Sequence, residues 1–156
     1  MLKKIIILLT LTTLLFSDSN ITEETISPYV KKEFLIVKST TSYKEAKKYS
    51  EKISKKLNIK IDFRGLSFHK KDFLTFSKEV CNNEFDEESC YVGRGRDDDG
   101  EYISIEHTNY YEEFTNGYYI VVVATGEDVS KSLKKVKKEI SDAYVKSAKV
   151  YMGCMH

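Results

Sequence analysis

The chain has 156 residues, 41% of them hydrophobic, with 25 Lys and Arg against 24 Asp and Glu. That is the length of one domain with apolar material for one modest core. The near-zero balance excludes a bulk electrostatic nucleic-acid binder and an acidic disordered tail, and a single Pro excludes a proline-rich linker protein.

In chain order, Lys3 and Lys4 precede a twelve-residue apolar run, Ile5 to Phe16, and Ser17-Asp18-Ser19 supplies small residues for cleavage before Asn20. This is the pattern of a secretory signal peptide over 1–19. Twelve helical residues reach roughly 18 Å, short of the ~30 Å hydrocarbon slab, so a spanning anchor is disfavoured. The expected product is an exported protein, periplasmic or secreted, soluble and with no membrane partner after cleavage. A polar linker over 20–32 leads to one domain over 33–153.

Phe34 to Val37 is a continuously apolar strand, and Ser42 can cap a helix with the stripe Ala46, Tyr49, Ile53 and Leu57. Ile59 to Arg64 alternates and reads as an edge strand. The order recurs later: strand Tyr118 to Ala124, a cap at Asp128 or Ser130, the stripe Val129, Leu133, Val136 and Ile140, then an alternating strand to Tyr151. A shift of 87 lays one helix stripe on the other and Phe34 to Val37 on Val121 to Ala124, as in a gapless structural repeat. Two such units predict an α+β, ferredoxin-like βαββαβ fold, its antiparallel sheet backed by both helices on one face. Strands apolar on both faces belong at the centre, so something must also cover the face away from the helices.

Between the halves lies an insert over 65–117. Phe73, Phe76 and Val80 suggest a short amphipathic helix. Segments 91–96 and 101–106 around Asp97-Asp98-Asp99-Gly100 suggest a β-hairpin that extends the sheet or packs against it. Cys81 and Cys90 close a ten-residue loop and form the favoured disulfide, although pairings with Cys154 stay open. Cys154 and His156 are too few ligands for a metal site, and no cofactor motif is present.

Candidate binding residues concentrate in the insert: Tyr91, Arg94, Arg96, Tyr102, Glu106, Tyr110 and Tyr111. Tyrosines give contact area at low side-chain entropy, and beside carboxylates and arginines they suit glycan recognition. Arg94 and Arg96, read as neighbours on one strand face, could clamp an anion. Glu106-His107 is the best catalytic-looking pair, but adjacent strand residues point to opposite faces, so no enzyme is expected. Lys131, Lys134, Lys135, Lys137 and Lys138 read as a solvated helix face.

Phe34 to Leu57, and more clearly Gly117 to Tyr151, resemble the SPOR domain (sporulation-related repeat). The likeness lies in the strand-then-helix cadence, an aromatic opening each strand (Phe34, Tyr119), and the ending Ser141-Asp142-Ala143-Tyr144-Val145. Val37-Lys38-Ser39-Thr40 stands where that family carries a polar residue and Gly-Ser-Phe, and the insert is foreign to a compact member. The resemblance implies a bacterial envelope protein that binds peptidoglycan glycan strands on the sheet face opposite the helices. The alternative is an adaptor for an envelope protein, with the insert covering that face.

Overall fold

The computed structural model describes residues 27–71, 73–84 and 90–153. The expected signal segment, most of the linker, and Cys154 with His156 lie outside them. The protein is α+β. Its main sheet is antiparallel, in the order β4-β5-β1-β6, from β1 (Tyr29–Thr40), β4 (Gly100–His107), β5 (Tyr119–Gly126) and β6 (Tyr144–Tyr151). Helix α1 (Tyr43–Leu57) follows β1, and α3 (Ser130–Val136) follows β5. A two-stranded hairpin, β2 (Ser67–His69) with β3 (Phe73–Thr75), and helix α2 (Lys78–Glu84) come between α1 and β4.

The two continuously apolar segments take the centre, and alternate residues feed two cores. Leu35, Val37, Val121 and Val123 face Ala46 and Ile53 of α1 and Val129, Val136 and Ile140 around α3, so both helices back one face. Phe34, Ile36, Ile120, Val122, Ala148 and Val150 face the other way, where Tyr111 and Phe114 pack on them. Phe34 meets Tyr111 and Phe114 edge-to-face at 5.0 and 5.9 Å. The insert therefore covers the middle of the second face.

Local chemistry sets the helix ends. Ser42 accepts a hydrogen bond from the Glu45 amide at 3.3 Å, and Asn58 closes α1 in the left-handed region at φ 54°. Asp128 accepts from the Ser130 amide at 2.8 Å ahead of α3.

Three expectations are corrected. Ile59 to Arg64 is not an edge strand: it meets the sheet through one parallel bridge, Ile61 to Ile103. The Asp62 carboxylate accepts from the Arg64 amide at 2.8 Å, and Arg64 sits at φ 59°, so the chain turns away. The edge position goes to β4, whose antiparallel pairing with β5 runs from Gly100–Thr125 to His107–Tyr119. Residues 91–96 form turns, so the aspartate-glycine hairpin is absent; the insert's hairpin is β2–β3, with Phe73 in a strand and the helix beginning only at Lys78. The gapless repeat also fails, because Phe34 faces the insert whereas Val121 faces the helices.

Cys81 and Cys90 are disulfide-bonded, with Cα atoms 5.3 Å apart. The bond ties α2 to the segment that delivers Tyr91, as does the Phe76 amide bonding the Cys90 carbonyl at 3.1 Å. Among the described residues no helix is long and apolar enough to cross a membrane.

Candidate functional site

The insert meets the sheet through a buried polar network. Between Glu101–Ala124 and Ser104–Val122, two residues of β4 oppose one of β5, which is a β-bulge. Carbonyls released by such a bulge need donors. Arg94, fully buried, supplies them: one nitrogen bonds Val122 O at 3.0 Å and Ser104 Oγ at 2.8 Å, and the other bonds Tyr102 O at 3.0 Å and Gly100 O at 3.2 Å. Its guanidinium lies 3.7 Å from the Tyr102 ring centroid.

Ser104 passes the chain on, donating to Glu106 Oε1 at 2.6 Å. Glu106, also fully buried, accepts on Oε2 from Tyr91 at 2.6 Å and from Arg64 at 3.0 Å. Arg64 bonds Asp98 at 2.6 Å, and Asp98 accepts from Tyr102 at 2.6 Å and from the Gly95 amide at 2.7 Å. Burial pulls the Arg64 pKa down, but Glu106 foremost, with Tyr91 and Asp98, outweighs it, so the guanidinium stays charged. Asp98 is resisted by its burial and still ends below its ordinary value, through the Tyr102 hydrogen bond and Arg64. Tyr91 and Tyr111 are pushed well up, by burial first and by Glu106 second. Two guanidiniums and two carboxylates thus neutralise each other inside the protein.

This corrects three candidate ligand contacts. Both terminal nitrogens of Arg94, the Tyr102 hydroxyl and the Glu106 carboxylate are taken up by internal bonds, and Arg94 and Arg96 lie in a turn, not as a clamp on a strand face. Glu106 and His107 diverge as expected: His107 stacks on Phe73 at 4.0 Å on the helix side. Burial pushes the His107 pKa down to about 4, against about 6.5 in an unfolded chain. The folded chain therefore binds fewer protons between those values. Stability is full above about pH 6.5 and falls as pH drops toward about 4, by at most about 3 kcal/mol. Urea titrations across that interval should show the slope, and His107→Gln should flatten it.

The other candidates meet at one cleft, Tyr91, Arg96 and Tyr110 half-buried and Tyr111 buried beneath them. Tyr91, Tyr110, Tyr111 and Arg96 line a cleft of about 440 Å³, completed by Tyr29 and Tyr151. Tyr91 and Tyr110 stack at 3.6 Å between centroids, and the Tyr110 hydroxyl donates to Leu74 O at 2.8 Å. The Tyr111 hydroxyl accepts from the Arg94 amide at 3.0 Å, which fixes the cleft floor to the network. Tyr29 and Tyr151 are opposite partners at the end of the β1–β6 ladder, with rings 5.3 Å apart and 51% and 43% exposed. Glu112 and Lys149 add one charge of each sign to the lining. Sequence reasoning missed Tyr29, Tyr151 and Arg64; the first two are distant in the chain, and only strand register brings them together.

A smaller cleft of about 250 Å³, lined by Ser39, Tyr118, Tyr144 and Lys146 among others, lies across Phe114 on the same sheet face. Among the described residues no group of three metal-ligating side chains forms. The chain matches no family model, no curated protein and no solved structure.

Proposed function

We propose that this is an exported, non-catalytic protein of the bacterial envelope that binds peptidoglycan glycan in the tyrosine cleft. The observation that carries the reading is the convergence of Tyr29, Tyr91, Tyr110 and Tyr151 with Arg96, Glu112 and Lys149 on one open cleft. Such rings offer flat apolar faces to the C–H faces of sugars, and the rim charges can bond their hydroxyl edges. The order β4-β5-β1-β6 with both helices on one face supports a ferredoxin-like βαββαβ reading through β1, α1, β4, β5, α3 and β6. The SPOR-like reading rests on that arrangement together with the resemblance of the two halves. The Cys81–Cys90 disulfide supports an oxidising, extracytoplasmic location.

A ligand spread over the middle of the sheet face would have to displace Tyr111 and Phe114, so the proposed site is the cleft at the insert's rim. That coverage is also the observation that favours the second reading, an adaptor for an envelope protein without glycan binding. Retention on purified peptidoglycan, before and after amidase removal of the peptides, separates the two. Binding should appear on the stripped glycan and fall about tenfold in Tyr29→Ala and Tyr151→Ala, the scale of one lost aromatic contact. No retention on either material would overturn the glycan reading in favour of the adaptor.

A further inference from the structure

The fold gathers charge that the linear sequence disperses. Helix α1 carries Lys44, Lys47, Lys48, Lys52, Lys55 and Lys56, and α3 with the turn after it carries Lys131, Lys134, Lys135, Lys137 and Lys138. Read one helix at a time, these are solvated faces. The shared core places both helices side by side on one face of the sheet, and Lys56 of α1 reaches Glu139 after α3 at 3.6 Å. Eleven exposed lysines then stand in one layer against six acidic residues, Glu45, Glu51, Glu139 and Asp142 within it and Glu101 and Asp128 at the border of α3, a net of +5 in a chain whose total is +1. Nine of them form no ion pair with a carboxylate of the described residues; Lys56 and Lys135 do. The acidic residues that restore the balance include Asp97, Asp98, Asp99, Glu112 and Glu113 of the insert.

An aromatic edge adjoins this layer. Phe68 is 46% exposed and stacks on Tyr43, the first residue of α1, at 5.1 Å. Its hairpin continues into His69, Lys70 and Lys71, all exposed. An extended basic layer bordered by an exposed ring matches a planar anionic surface with an apolar interior: lysines meet the headgroups, and the ring enters the interfacial zone. A soluble polyanion would satisfy the lysines but would leave Phe68 without a role.

We infer that the helical layer, with Phe68 at its margin, is a peripheral docking surface for an anionic lipid membrane. The insert's part of the cleft, Tyr111 and Tyr110 with Tyr91 stacked on the latter, lies on the side of the sheet away from the helices, so docking leaves that part uncovered. This inference stands whether or not the cleft binds glycan.

The test is co-sedimentation of the full chain with phosphatidylcholine vesicles, with and without phosphatidylglycerol, at low and high salt. Binding should require the anionic lipid and weaken with salt, as screening at a Debye length of about 10 Å in 0.1 M salt demands. The leader is common to all variants, so the difference between variant and parent reports the folded surface. Lys47→Gln/Lys48→Gln/Lys52→Gln should lower the partition more than tenfold, and Lys134→Gln/Lys135→Gln/Lys138→Gln should do the same. Lys146→Gln, across the sheet, should leave it unchanged. Phe68→Ala should lower it about fivefold with the same salt dependence. All positions are exposed, apart from the half-buried Lys146 control, and circular dichroism checks the fold. Either triple variant binding anionic vesicles like the parent would overturn the inference. So would a soluble polyphosphate bound as tightly as the vesicles with Phe68→Ala silent.

Discussion

Replacing Arg94 with methionine is expected to lower the unfolding free energy by about 3–5 kcal/mol, the range for breaking a buried hydrogen-bonded charge. The urea midpoint should fall with the slope retained. The reason lies in the β4–β5 bulge. Four acceptors, Val122 O, Tyr102 O, Gly100 O and Ser104 Oγ, take their bonds from one guanidinium. Methionine fills much of the volume and donates nothing, so buried carbonyls lose their partners at about 1–3 kcal/mol each, less what relaxation recovers. A lysine in its place would keep the charge, but an ammonium has three donors and no planar fork, so Arg94→Lys should fall between parent and Arg94→Met. A midpoint for Arg94→Met indistinguishable from the parent would refute the role given to this arginine.

The frame of the fold was legible because two-sided apolarity is a strong constraint. Phe34 to Val37 and Tyr119 to Ala124 carry no polar residue that could face water, so they had to be central and covered twice. The cover over the second face follows from the same pattern, although its identity, Tyr111 and Phe114, does not. The alternation of Ile59 to Arg64 misled because periodicity reports what a segment could pair, not which segment wins the position. Segment 100–107 wins by pairing along its length with β5, while Asp62 and the left-handed Arg64 divert the competitor.

The candidate site was half legible for a related reason. Clustering selected Tyr91, Tyr110, Tyr111 and Arg96, which do line the cleft. It also selected Arg94, Tyr102 and Glu106, since composition cannot distinguish an arginine that meets a ligand from one that meets carbonyls at a bulge. Tyr29 and Tyr151 were invisible because their adjacency is a property of the β1–β6 register. The helix lysines were visible but not as one surface, because only the packing of α1 and α3 on a common core joins them.

Glu106→Gln should cost about 2–4 kcal/mol, although it changes a single atom, because it removes a buried counter-charge. The Glu106 carboxylate accepts from Ser104, Tyr91 and Arg64 and has no donor to place. An amide must point its NH2 at groups that are themselves donating, and the Arg64 guanidinium is left with Asp98 alone for its charge. A second readout separates loss of charge from loss of shape. Tyr91 and Tyr111 are raised by burial first and by the Glu106 charge second, so in Glu106→Gln both phenols should ionise at lower pH than in the parent while remaining above free tyrosine. Ultraviolet titration of the folded protein measures this. The pair Arg64→Met/Glu106→Leu should be less destabilised than the sum of its single variants, since removing both charges leaves neither buried alone. Strict additivity in that cycle, with phenol titrations unmoved in Glu106→Gln, would mean that the two residues do not interact through their charges and that the network is held by packing alone.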